Sequence, residues 1–194
     1  MTNPLIDHIR KFVTLDETTS ADVISRFKLQ KIRKKTRLLE EGDRCRHMHF
    51  VTKGCLRLFF LKQNGTQQTT QFALENWWLS DFNAFAAHGV ASFSVDAVEP
   101  SEVLSIDAQG LEKLLADVPQ LEKYFRLIHQ KANGAAQRRV RFLYELSREE
   151  MYTNFITSYP EFCQRIPQYL LASFLGITPE YLSEIRRKAL LKPV

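Results

Sequence analysis

The sequence predicts an α+β fold: a β-rich N-terminal domain of sandwich or jelly-roll type, then a long helix, then a small all-α domain carrying a helix-turn-helix. Three observations predict it. From about Leu29 apolar residues alternate in many short runs, and from Leu121 they recur in steps of four and three. Pro167 to Lys188 then places a small residue, a glycine and a helix cap at the offsets of two crossed short helices. The expected boundaries are 1–118, 119–147 and 148–194.

The first residues read as short helices. Leu5, Ile9 and Phe12 share one face, and Val23, Ile24 and Phe27 follow at helical spacing after Thr18-Thr19-Ser20. Strands begin near Leu29 and are broken by Glu41-Gly42-Asp43 and Lys53-Gly54. The runs Cys55 to Lys62 and Gln67 to Ala73 flank Asn64-Gly65, a pair that supplies the positive φ angles of a type I′ turn, so a β-hairpin is expected. Further strands are expected at Asn76–Leu79, Ser92–Ala97 and Glu102–Ile106. Asp107 is the expected N-cap of a short helix through Leu111, Leu114 and Leu115 that ends near Pro119.

The long helix carries Leu121, Phe125, Ile128, Ala132, Ala135, Arg139 and Phe142 in heptad register. Two uses fit that seam. It can join two copies in a homodimer, which the small residues Ala132, Gly134, Ala135 and Ala136 favour, or it can pack on the chain's own β domain.

In the C-terminal motif the first helix is expected from Pro167 to Leu175, with Ala172 small where the second helix crosses and Gly176 in the left-handed turn. Thr178 is the expected cap of the second helix and Pro179 its first residue. Leu171, Leu175, Ile177, Leu182 and Ile185 form the apolar contact. Glu180, Tyr181, Ser183, Glu184, Arg187 and Lys188 are left outward, the spacing a recognition helix needs in a major groove. With Gln168, the N-terminal group Thr178, Pro179, Glu180 and Tyr181 is placed to meet base edges, and Glu180 or Glu184 to accept from a cytosine amino group. Arg186, Arg187 and Lys188 are expected on phosphates. Double-stranded DNA is the expected partner.

Composition bounds the remaining classes. A net charge of +5 agrees with a polyanionic partner without requiring one. Three widely spaced cysteines, Cys45, Cys55 and Cys163, fit free thiols in a reducing, cytoplasmic setting. Met1 to Phe12 carries Asp7, His8, Arg10 and Lys11, so no signal-peptide core is expected, and no apolar run approaches the ~20 residues of a membrane helix. Neither a nucleophile elbow nor a phosphate loop is present, and Asp81, Asp96 and Glu99 have no spacing that specifies acid–base work, so no enzyme is expected. Cys45, His47 and His49 would share a strand face, but without a fourth ligand they read as a polar edge, and no metal or cofactor is expected.

The order of β domain, heptad helix and helix-turn-helix resembles the Crp/Fnr superfamily of bacterial transcription regulators. The likeness rests on Leu38-Leu39-Glu40-Glu41-Gly42-Asp43, Phe50-Val51-Thr52-Lys53-Gly54, the hairpin at Asn64-Gly65, and Ala172, Gly176, Thr178, Glu180 and Ile185. It implies a cyclic-nucleotide-binding-like double-stranded β-helix (jelly-roll) barrel with a sensory role, dimerisation through the long helix, and binding of a two-fold symmetric operator. The departures also matter. Family members that bind cyclic nucleotides carry a Gly-Glu pair and, about ten residues later, Arg-Ser/Thr-Ala; here the matching stretches are Ser80-Asp81-Phe82 and Ala91-Ser92-Phe93, without the arginine. A cyclic phosphate would lack its guanidinium partner, so no response to cyclic AMP is expected. Trp77, Trp78, Asp81, Phe82, Phe85, Ser92 and Phe93 are candidates for lining a site for a different, more apolar and unidentified small-molecule effector, or for plain barrel core. The N-terminal cysteine cluster of oxygen-sensing members is absent, and with only Ala189 to Val194 after Lys188 the winged hairpin of many relatives is expected to be missing. A competing reading is a small-molecule sensor that acts through protein partners and carries a vestigial helix-turn-helix.

Overall fold

A computed structural model of the chain describes residues 3–191, which form two compact units, one of residues 3–60 with 70–131 and one of residues 61–69 with 132–191. The first unit opens with α1 (Pro4–Arg10) and α2 (Glu17–Ser25), capped by the side chains of Asn3 and Asp16, which accept from the N–H groups of Leu5 and Thr19. Eight strands follow: β1 (Lys28–Ile32), β2 (Arg37–Leu39), β3 (His47–Lys53), β4 (Leu56–Leu61), β5 (Gln67–Ala73), β6 (Trp78–Leu79), β7 (Ser94–Ala97) and β8 (Ser101–Asp107). They make two four-stranded sheets, β1-β8-β3-β6 and β2-β7-β4-β5, the jelly roll expected from many short strands. Phe50, Leu56, Phe59, Leu79, Val95 and Val103 are fully buried in this domain. Arg57 and Asp96 face each other across β4 and β7, and the guanidinium grips the carboxylate at 2.7 and 2.9 Å while lying 4.1 Å over the Phe59 ring. This bidentate geometry is what makes a buried charge pair tolerable.

The hairpin forms where Asn64-Gly65 places it, with a different turn. Gly65 takes φ +77° while Asn64 stays out of the left-handed region, and Gly65 N–H bonds to the Lys62 carbonyl at 2.8 Å. This is a tight turn closed by a left-handed glycine and not type I′. Asn64 instead uses its side-chain oxygen to accept from the Thr66 N–H and hydroxyl, at 3.1 and 2.7 Å. The strand expected from Asn76 shortens to Trp78–Leu79, because Asn76 is left-handed at φ +67° and donates to the Val51 carbonyl from a turn.

Asp107 caps α4 (Ala108–Asp117) as expected, accepting from the Gly110 N–H at 2.6 Å. The long helix α5 (Gln120–Glu145) follows. Its heptad seam divides. Leu121, Phe125 and Ile128 are buried in the first unit's own core, which takes these three expected dimer residues out of reach of a partner. The cause is the neighbouring aromatic layer: Phe125 lies 5.3 Å from Trp78 and 5.0 Å from Tyr124. Beyond Lys131 the helix exposes apolar side chains instead, namely Val140, Phe142, Leu143 and Tyr144.

The second unit adds α6 (Arg148–Ser158), α7 (Pro160–Arg165), α8 (Gln168–Leu175) and α9 (Pro179–Leu191). Ser147 and Glu150 close a capping box at the start of α6. The expectation that no winged hairpin follows Lys188 falls partly on residues 192–194, outside the described residues.

Candidate nucleic-acid interface

The helix-turn-helix is built by local chemistry. Gly176 sits at φ +72° after α8, and the Ile177 N–H reaches back to the Ala172 carbonyl at 3.0 Å, ending the helix in a Schellman-type turn. The Thr178 hydroxyl then accepts from the Tyr181 N–H at 3.2 Å and starts α9. Ala172 is fully buried, as are Leu171, Leu175, Leu182 and Ile185 to within a few per cent, so one face of each helix is spent on the other.

The structure leaves Gln168, Thr178, Pro179, Glu180, Ser183, Arg186, Arg187 and Lys188 exposed, with Tyr181 and Glu184 half-buried. Besides the Thr178 cap, several of these outward groups already have partners, the Ser183 hydroxyl among them, which donates to the Pro179 carbonyl at 2.9 Å. The Tyr181 hydroxyl donates to the Glu149 carboxylate, which holds that carboxyl below its ordinary range. Lys188 pairs with Glu184 at 2.8 Å, one turn along, so one of the two acids on this face is neutralised by the helix itself. Glu149 carried no sequence signal, being 32 residues from Tyr181.

Sequence reasoning also missed how α8 is held. Arg139 lies 3.7 Å over the Phe174 ring and donates to the Phe174 carbonyl at 2.6 Å, and Arg148 reaches the Leu175 carbonyl at 3.4 Å. Two cations thus close the C-terminal end of α8, where carbonyls lack helical partners. Arg139, expected at the dimer seam, is occupied within its own chain, and burial pulls its pKa down to about 10. Ser173 donates to the Gln67 carbonyl at 2.8 Å and accepts from the Thr69 N–H at 2.9 Å, tying α8 to segment 61–69.

Of the candidate effector residues in the first unit, Trp78, Asp81 and Phe85 are buried, Phe82 and Phe93 are half-buried, and Trp77 and Ser92 are exposed. Trp78 is 2% exposed, and its indole N–H is satisfied by the Tyr124 hydroxyl at 2.8 Å. Phe85 is buried, Phe82 rests edge-on against His129, Phe93 packs against Phe60, and Trp77 points outward. Asp81 is buried with both oxygens engaged: one accepts from the Ala84 N–H at 3.1 Å, capping α3 (Phe82–Ala86), and the other from the Ser92 N–H at 2.8 Å. Cys45 lies 3.3 Å from the Ser80 hydroxyl and His49 2.7 Å from that of Ser105. Among the described residues no group of three metal-binding side chains forms.

The β domain and the helix-turn-helix together define a class: a cyclic nucleotide-binding-type barrel joined by a long helix to a helix-turn-helix. Residues 29–118 match the family described as cyclic nucleotide-binding domain. The fumarate and nitrate reduction regulatory protein of Vibrio cholerae is 27% identical over 167 residues, covering 79% of this chain and 65% of the relative, so the match spans less than two thirds of that relative's length. Two solved structures share the fold: FixK2 from Bradyrhizobium japonicum, with TM-score 0.73, 15% identity and 84% of each chain covered, and a transcriptional regulator assigned to the crp/fnr family from Eubacterium rectale. The second has TM-score 0.73 and 14% identity over 91% of this chain and 84% of that one. Over residues 29–118 the chain carries a cyclic nucleotide-binding domain, and along most of its length it is similar to Crp/Fnr-type regulators.

Proposed function

We propose that the protein is a cytoplasmic, homodimeric transcription regulator that binds a two-fold symmetric DNA site through paired α9 helices. The observation that carries this reading is the helix-turn-helix itself: a left-handed glycine, a threonine cap and a buried alanine set α9 at a fixed crossing, with Arg186, Arg187 and Lys188 on its exposed side. Glu180 and Ser183, exposed beside the capped N-terminus, are the proposed base-reading residues, while Tyr181 and Glu184 are positioned through Glu149 and Lys188. The names of the similar regulators support the same reading. The proposed dimer contact is the second half of α5, where Ala132 and Ala135 allow close approach and Val140, Phe142 and Leu143 offer apolar surface.

The residues present do not fit a cyclic phosphate. The Asp81 carboxylate already holds the Ser92 N–H, and the stretch from Ser80 to Phe93 contains no lysine or arginine. An incoming phosphate would meet a like charge and no guanidinium, which supports the proposal that cyclic AMP is not the signal. No catalytic role is proposed for any residue.

Fluorescence anisotropy with duplexes from the organism's own promoters tests the reading. Binding at ~10 nM or tighter is expected at physiological salt. Arg187→Ala with Lys188→Ala should weaken it at least about tenfold and flatten its salt dependence by roughly one unit of slope per lost phosphate contact. Unchanged affinity in the double variant would discard the assignment.

A further inference from the structure

One cleft in the first unit belongs to neither the helix-turn-helix nor the Asp81 region. It measures about 460 Å³ and is walled by β2 and the segment leading into β3. Arg37, Arg44, Arg46 and His47 line it, with Glu40 and Asp43 as its acids. Glu40 is already taken by Arg37, at 2.5 Å, so the free charge facing the cleft is predominantly positive.

The three arginines are unevenly satisfied. Arg37 is braced between Glu40 and the face of Phe59, with its Cζ 4.8 Å from the ring centroid. That brace leaves its Nε buried without a hydrogen-bond acceptor. A native chain rarely leaves such a donor orphaned unless something outside the protein supplies the acceptor. Arg44 and Arg46 are exposed, and among the described residues neither has a carboxylate partner.

The backbone that carries them is fixed before any ligand arrives. Gly42 donates to the Ala91 carbonyl at 2.9 Å, Ala91 to the Asp43 carbonyl at 2.8 Å, and Cys45 to the Gly89 carbonyl at 3.0 Å. The Glu41 N–H bonds to the Ser94 hydroxyl at 2.9 Å, and Arg44 pairs with Val90 in an isolated bridge. Four hydrogen bonds thus fix the backbone from which the guanidinium groups extend, which lowers the ordering cost of binding a small ion. Guanidinium forks match the oxygens of a phosphate bidentately, and the volume lies in the roughly 300–1,000 Å³ range of small-molecule sites. A concave pocket of this size suits a discrete anion better than an extended polymer.

We propose that this cleft binds a small phosphorylated metabolite through Arg37, Arg44 and Arg46. The site would give the β domain a ligand of its own, separate from the stretch around Asp81. It stands independently of the DNA-binding reading.

Isothermal titration of the full chain with inorganic pyrophosphate, in low-salt buffer without DNA, tests the proposal. Saturable binding at one site per chain is expected. Arg44→Gln with Arg46→Gln should weaken it at least about tenfold, because each removed guanidinium takes away charge-assisted bonds. Both side chains are exposed, so the variant should keep its thermal unfolding temperature. Arg187→Gln with Lys188→Gln should bind as the parent does. Absence of saturable binding, equal binding by the Arg44/Arg46 variant, or loss in the Arg187/Lys188 variant would each overturn the assignment, the last by placing the anion on α9.

Discussion

The Tyr124 hydroxyl accepts from Trp78 Nε1 and lies 2.8 Å from His8 Nδ1, so one phenol serves an indole and an imidazole drawn from distant parts of the chain. Trp78 can only donate, so the oxygen accepts there, and the direction of the His8 contact follows the imidazole tautomer. Burial, followed by the charges of Lys11 and Lys131, brings His8 down to about 4 and keeps it neutral. Tyr124→Phe strands the buried Trp78 N–H and should cost about 1–3 kcal/mol, measured by urea unfolding. His49 gives a pH-dependent counterpart. Burial, then the neighbouring His47, lowers its pKa to about 4 from 6.5. The unfolded chain therefore binds the proton more tightly, so the His49 contribution is full above pH 6.5 and is lost as pH falls towards 4. Thermal melts across that window should show stability dropping by up to ~1.4 kcal/mol per pH unit from this residue. His49→Gln, which can keep a bond to Ser105, should remove that part of the slope. At this scale little was legible: His8, Trp78 and Tyr124 are each ordinary apolar-pattern residues in sequence, and only the fold brings them together.

Elements announced by local chemistry were the most readable. Asp107, Gly176 and Thr178 act through neighbours within a few positions, and each does what its residue type implies. Asn64-Gly65 foretold the hairpin but not the turn, because the asparagine could use either its backbone or its side chain, and it is the side chain that bonds to Thr66. The long helix shows the opposite limit. A heptad seam records which face is apolar and not what covers it; Leu121 to Ile128 went to the chain's own core, and the available surface moved to Val140 and Leu143. Gly176→Ala tests the turn. No atom lies within 4 Å of the added methyl, so the cost is the left-handed backbone alone, about 1–2 kcal/mol. Weaker DNA binding, with the barrel's unfolding unchanged, is the expected outcome.

For the whole molecule, the β domain and the helix-turn-helix could be placed in order from sequence, while the contents of the barrel could not, since an aromatic run reads the same whether it lines a cavity or fills a core. Association is the property to test at this scale. Val140→Asp with Leu143→Asp places charge on the proposed dimer face of α5, and light scattering should then find monomers where a dimer is expected for the parent. Affinity for a symmetric site should fall at the same time, because paired reading requires both copies. The second unit is also discontinuous, assembled from segment 61–69 and from the chain after Lys131, and Ser173 is where the two strands of its history meet. A single hydroxyl there answers both the Gln67 carbonyl and the Thr69 amide. Descendants of this sequence are not at liberty to alter that serine and the hairpin separately: a change at 173 that removes the hydroxyl takes one hydrogen bond from each of two backbone groups. Across related sequences, the serine and the shape of the hairpin should therefore be inherited, and lost, together.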